Sequence, residues 1–98
     1  MAEALLLEFD GVGLDHYQAV NAALGIDAET GEGDWPEGLV SHTGGAKPGG
    51  WVVFEVWEPQ DAQAKFMEER LERALEQGNT PPPARVEWLA LAAHRNLS

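Results

Sequence analysis

Glu55 lies inside the strongest strand signal of the chain, Trp51-Val52-Val53-Phe54-Glu55-Val56-Trp57. A carboxylate in such an apolar setting needs a partner, or burial keeps it protonated. Two chemistries are open to it. One is an ion pair with Arg70, Arg73 or Arg85. The other is general acid or base work in a pocket, where desolvation raises the proton affinity. His42, between Ser41 and Thr43, is the second candidate, because imidazole is the usual proton shuttle near neutral pH. A packed, hydrogen-bonded histidine is the alternative reading. His42 and Glu55 are thus the candidate catalytic residues. Trp57, Trp51, Tyr17 and Trp35 are the candidate ligand-binding residues: they offer aromatic walls for a flat ligand, or equally a packed core. Trp35-Pro36 follows an acidic loop and could form a lid or a plain hydrophobic anchor.

Other chemistries find no support. The absence of cysteine removes disulfides, thiolate zinc sites and thiol catalysis. His16, His42 and His94 show no H-x-H or H-x-x-x-H spacing, so no metal is expected. His16 and His94 read as surface or interface residues. Asp27, Glu29, Glu32 and Asp34 lack the order of a calcium loop and its closing Glu. Gly44 to Gly50 joins two strands and contains no Gly-Lys-Ser/Thr, so it is not a phosphate loop. No cofactor is expected.

The elements that must position these residues follow from periodicity. Ala4 to Phe9 reads as a strand ended by Asp10-Gly11. Leu14, Tyr17, Val20 and Leu24 form one helical stripe, with Gly25 at the C-terminal cap. Ile26 to Pro36 reads as a loop. Leu39 to Thr43 is a short strand, Gly44 to Gly50 a flexible turn, and Trp51 to Trp57 a strand. Glu58-Pro59 opens a helix with proline at its first position. Ala62, Phe66, Leu71, Ala74 and Leu75 face inward on that helix, and Glu69 with Arg73 forms an i,i+4 pair outside. Gly78-Asn79 ends it, Thr80 to Pro83 is a stiff connector, Arg85 to Ala92 a last strand and His94 to Ser98 a tail. The order β-α-β-β-α-β with right-handed crossovers predicts the ferredoxin-like α+β arrangement, an antiparallel sheet with two helices on one face.

That sheet is apolar on both sides. Val52, Phe54 and Val56 point one way, and Trp51, Val53 and Trp57 the other. The first strand sets Leu5, Leu7 and Phe9 against Ala4 and Leu6, and the last sets Val86, Trp88 and Ala90 against Leu89 and Leu91. Two helices cover one face, so a second copy is the simplest cover for the other. The expected assembly is a homodimer through sheet faces, in which His42 and His94 of different copies could meet.

The chain of 98 residues is expected to be a single domain, residues 1–98. Its formal net charge of -11 excludes nucleic acid and an anionic membrane surface as partners. Met1 to Ala46 contains no Lys or Arg, although acids from Glu3 to Glu37 fall there, whereas Lys65, Arg70, Arg73, Arg85 and Arg95 cluster later. This is a solvated acidic surface, or a patch that meets cationic groups on a second copy. No apolar run is long enough to span a bilayer, and Met1-Ala2-Glu3 lacks the basic start of a signal peptide, so a soluble cytoplasmic protein is expected.

The strand Trp51 to Trp57 running into Glu58-Pro59-Gln60-Asp61-Ala62 and then Phe66 resembles the strand-to-helix junction of the antibiotic biosynthesis monooxygenase-like proteins, the dimeric α+β barrel group. Members typically show an aromatic, Glu, any residue and Trp, then an acidic or small helix start with Ala and an aromatic on the inner face. The resemblance implies a dimeric barrel with a pocket between helices and sheet, lined by Trp57. It also implies cofactor-free oxygenation of an aromatic or apolar small molecule, in which a substrate carbanion meets oxygen. The first strand carries no asparagine, and Lys65 and Phe66 stand where a haem ligand would be sought, so haem degradation is not implied. A non-catalytic binding or interaction module of the same fold, or a structural dimer with a filled core, remains open.

Overall fold

The computed structural model describes residues 2–95. The elements run β1 (Glu3–Asp10), α1 (Leu14–Leu24), β2 (Ile26–Asp27), β3 (Glu32–Gly33), β4 (Leu39–Lys47), β5 (Gly50–Trp57), α2 (Asp61–Phe66), a π-helical turn (Met67–Leu71), α3 (Glu72–Gln77) and β6 (Arg85–Ala90). The main sheet has the order β4-β5-β1-β6 with every neighbouring pair antiparallel. β5 is inserted between β1 and β4, which is the split β-α-β topology of a ferredoxin-like α+β fold. Alternation decides the faces. Leu5, Leu7 and Phe9 of β1 and Trp51, Val53 and Trp57 of β5 pack with Val20 and Leu24 of α1 and with Phe66, Ala74 and Leu75 of the later helices. The opposite face leaves Phe54 and Leu89 exposed around Leu6, while Ala4 and Val56 are buried within it.

Several expectations are corrected. Gly44, Gly45, Ala46 and Lys47 are part of β4, not a flexible turn; only Pro48-Gly49 turns, because Gly49 supplies the positive φ the reversal needs. The Ile26 to Pro36 loop contains the β2–β3 hairpin, where Gly33 leaves no room for a Cβ against the Gly25 carbonyl. Pro59 is not the first helical residue. The Glu58 N–H still bonds the Gly38 carbonyl at 2.8 Å, the Glu58-Pro59 peptide is cis, and α2 begins at Asp61. The π-helical turn spaces residues more widely per turn, and no Glu69–Arg73 ion pair forms among the described residues. Leu14, at the start of α1, is exposed rather than inward. The last strand stops at Ala90, and the end of the expected tail, 96–98, lies outside the described residues.

Three of the six cations pair with acids of the same chain. Lys47 pairs with Glu8 and Asp10, Arg85 with Glu8 and Glu87, and Arg70 with Asp34. The charge complement placed above on a second copy is therefore met in part inside one chain, because β1 is flanked by the strands that carry Lys47's neighbour Gly50 and Arg85. No described helix is long and apolar enough to cross a membrane.

Candidate functional site

β5 presents Trp51, Val53, Glu55 and Trp57 to the helix-covered face, and the β4–β5 register sets His42 directly opposite Glu55. Directly opposed residues hold their Cβ atoms about 4.5–5.5 Å apart. The His42 Nδ1 and Glu55 Oε2 meet at 2.7 Å, with side chains 14% and 9% exposed. The Trp57 indole N–H donates to the other carboxylate oxygen, Oε1, at 2.9 Å. Both oxygens of Glu55 are thus engaged, and its partners are His42 and Trp57. None of the three arginines weighed for it is the partner: Arg70 bonds the Leu24 and Asp34 carbonyls, Arg85 bonds Glu8 and Glu87 on the sheet's far side, and Arg73 lies on α3 beyond the π-helical turn.

The third member comes from α1. The Tyr17 hydroxyl hydrogen-bonds His42 Nε2. Burial pushes the Tyr17 phenol up from its ordinary value, an Asn21 side-chain bond opposes this, and the Glu55 charge adds to it. Tyr17 is therefore a neutral phenol, and we assign it as the donor to His42 Nε2. The hydrogen-bond network then assigns the His42 proton to Nδ1, where it donates to Glu55, and leaves the Nε2 lone pair to accept. The Tyr17 and His42 ring planes lie within 6° of parallel, with centroids 5.8 Å apart. Gly44 makes this possible: a Cβ there would stand 2.7 Å from Tyr17 Cζ and 2.8 Å from its hydroxyl oxygen.

The Tyr17–His42–Glu55 chain opens on a chamber of about 70 Å³ between sheet and helices. Its walls are apolar, from Leu7, Phe9, Val20, Leu24 and Phe66, and its polar groups belong to Tyr17, Asn21, His42, Glu55 and a few neighbours. Outside it lies an open cleft of about 1000 Å³ that shares Tyr17, Asn21, Ile26, Trp35, Leu39 and His42 with the chamber. Trp35 stands at this junction, its ring 5.5 Å from His42 and its indole N–H on the Gly31 carbonyl.

Of the six candidates, five line the chamber: Tyr17, Trp35, His42, Trp51 and Glu55. Trp57 does not. It is fully buried beneath the site, 5.8 Å from Phe66, and acts on the site through Glu55. His16, read as a surface or interface residue, lies at the chamber, and its Nδ1 accepts the Gly13 N–H at the start of α1. His94 is exposed. Asp27 accepts the Glu29 and Thr30 amides and so shapes the hairpin turn. No metal-binding group of three or more His, Asp or Glu side chains forms among the described residues. The sequence reading passed over Asn21 and Leu39. The helical period from Tyr17 places Asn21 one turn on, which is the signal that would have found it.

The chain matches no protein-family profile and no curated protein sequence. Solved structures do match it over nearly its whole length. A candidate antibiotic biosynthesis monooxygenase from Chloroflexus aurantiacus is 14% identical, with a TM-score of 0.62, over 97% of this chain and 98% of that one. Rv0793 from Mycobacterium tuberculosis is 21% identical, with a TM-score of 0.62, over 98% and 100%. A candidate antibiotic biosynthesis monooxygenase from Deinococcus radiodurans is 13% identical, with a TM-score of 0.58, over 100% and 99%. At these identities the likeness is one of fold.

Proposed function

We propose that this chain, which has the fold of the antibiotic biosynthesis monooxygenase-like proteins, is a cytoplasmic, homodimeric enzyme that oxygenates an aromatic or apolar small molecule without metal or bound cofactor. The observation that carries the reading is the Tyr17–His42–Glu55 chain beside an apolar chamber. A ring methylene made acidic by its neighbours gives its proton to the Tyr17 oxygen as the Tyr17 proton passes to His42 Nε2, so no free phenolate forms. Glu55 steadies the resulting imidazolium. The carbanion gives electrons to dioxygen, a carbon–oxygen bond forms, and water is lost with the proton that His42 returns. Methylene and dioxygen become a carbonyl and one water. Oxygen uptake with a panel of hydroquinones and of ring ketones that carry an acidic methylene tests the enzyme, and His42→Ala should abolish it. No uptake with any member of the panel would overturn the reading.

The small volume of the chamber favours one second reading, a non-catalytic binding module of the same fold. Ligand binding without oxygen uptake would select it. The exposed Phe54 and Leu89 beside Leu6 support the dimer through open sheet faces. Light scattering that gives a monomer at micromolar concentration would remove it.

A further inference from the structure

The segment between α1 and β4, Gly25 to Gly38, carries Trp35, which lines both the chamber and the outer cleft and stands 5.5 Å from His42. This segment is largely bonded to itself. The Asp34 N–H donates to the Gly25 carbonyl, the Gly31 N–H to the Asp27 carbonyl and the Trp35 indole to the Gly31 carbonyl, each at 2.9 Å. Among the described residues, a single side chain from elsewhere hydrogen-bonds to it. Arg70 Nη2 donates to the Leu24 carbonyl at 2.8 Å and to the Asp34 carbonyl at 2.7 Å, and lies 3.4 Å from the Asp34 carboxylate. One guanidinium thus ties the last residue of α1 to the residue before Trp35. Arg70 comes from the π-helical turn, a rare form that recurs at functional sites, and its guanidinium also lies over the Phe66 ring at 5.4 Å.

Both ends of the segment are glycines, Gly25 and Gly38, with φ of 77° and 92°. Glycine crosses between the two signs of φ at little cost, so a rotation of the segment is absorbed at its ends. The chamber of about 70 Å³ is too small for one ring, since a cavity that holds benzene has about 150 Å³. Of the residues that chamber and cleft share, Tyr17 and Asn21 belong to α1 and Leu39 and His42 to β4, whereas Ile26 and Trp35 belong to the segment. Moving the segment therefore joins chamber and cleft with the sheet and α1 in place. We infer that Gly25 to Gly38 is a lid, that Arg70 is its latch, and that Arg70 is thereby the positioning residue that keeps Trp35 in the wall between chamber and cleft. The inference rests on the chamber as the site proposed above, but not on oxygenation.

Fluorine NMR of the ligand-free protein labelled with fluorotryptophan tests it. The chain has four tryptophans, and the Trp35 signal is the one missing in Trp35→Phe. Arg70→Met keeps a stem over Phe66 and removes the guanidinium. In that variant the Trp35 signal should move toward that of free fluorotryptophan, and its shift between light and heavy water should grow, while Trp57 and Trp88 stay in place. Arg73→Met should leave all four signals unmoved, because Arg73, on α3, makes no hydrogen bond to the segment among the described residues. Hydrogen exchange gives a reading on the wild type that stands even if Arg70→Met fails to fold. The Asp34 amide should exchange through a local opening that barely depends on low urea, whereas the amides of β1, paired on both sides, follow global unfolding. Loss of the latch should speed the Asp34 amide about tenfold to hundredfold. An unmoved Trp35 in folded Arg70→Met, equal movement of Trp35, Trp57 and Trp88, or Asp34 exchange that tracks β1 in urea would overturn the inference. An Arg70-dependent Trp35 without oxygen uptake by any member of the panel would sink the oxygenation reading alone; oxygen uptake with an unmoved Trp35 would sink only this inference.

Discussion

Replacing Gly44 with alanine should disable the site while adding a single methyl group. The added Cβ would lie 2.7 Å from Tyr17 Cζ. Two carbons rest at about 3.5–4.0 Å, so the Tyr17 ring must retreat by about 1 Å. Backbone strain is no part of this, since Gly44 has no positive φ. Overpacking of this kind costs about 1–3 kcal/mol, which for a chain of this size lowers the melting temperature by about 5–20 °C. A shift of about 1 Å at the Tyr17–His42 contact should lower turnover about 100-fold. Gly45→Ala is the internal control, because its Cβ meets nothing within 4 Å on the neighbouring position of the same strand. Thermal melts and oxygen uptake on both variants decide the matter. If Gly44→Ala melts and turns over like Gly45→Ala, the packing of Tyr17 over β4 is refuted.

Tyr17 is the only tyrosine, so the phenolate absorbance reports it alone. Its titration midpoint should lie above 10, because burial raises it, with Asn21 opposing and the Glu55 charge adding. The unfolded chain then loses this proton first, so the stability it contributes is full below pH 10 and is lost as pH rises through the folded value; Tyr17→Phe should flatten that alkaline loss in denaturant titrations. Glu8 is held below its usual range by hydrogen bonds from Arg85 and then Lys47. Its contribution is present above the ordinary carboxylate value and lost as pH falls through the lower folded value, so acid melts of Glu8→Gln should show a shallower decline. Glu55→Gln should stay folded by circular dichroism, because the amide oxygen can still accept from Trp57, while turnover falls about 100- to 10,000-fold. Phe54→Asp should give a monomer in light scattering with the chamber intact, since Phe54 points away from it.

The order of strands and helices was readable because each carries its own periodicity, and alternation along Trp51 to Trp57 placed Glu55 on the same face as Trp51 before any pairing was known. The partner of Glu55 was harder. Pro48-Gly49 closes the hairpin at Lys47 and Gly50, and five residues back on each side stand His42 and Glu55. Reading Gly44 to Gly50 as a flexible turn hid that count. Glycine weakens strand propensity, and here tertiary packing against Tyr17 overrides it. The π-helical turn left no local signal, because Met67 to Leu71 reads as ordinary helix. Trp57 was placed on the right face, but its depth depends on Phe66, which comes from a later helix and lies outside strand patterning.

The acid–base chain itself is tested most directly by the nitrogen NMR of His42 at neutral pH. The two-bond couplings show which ring nitrogen carries the proton. The account predicts a proton on Nδ1, shared with Glu55, and an unprotonated Nε2 whose resonance moves in Tyr17→Phe. A proton on Nε2 would leave His42 with no lone pair for Tyr17 or substrate, and would contradict it.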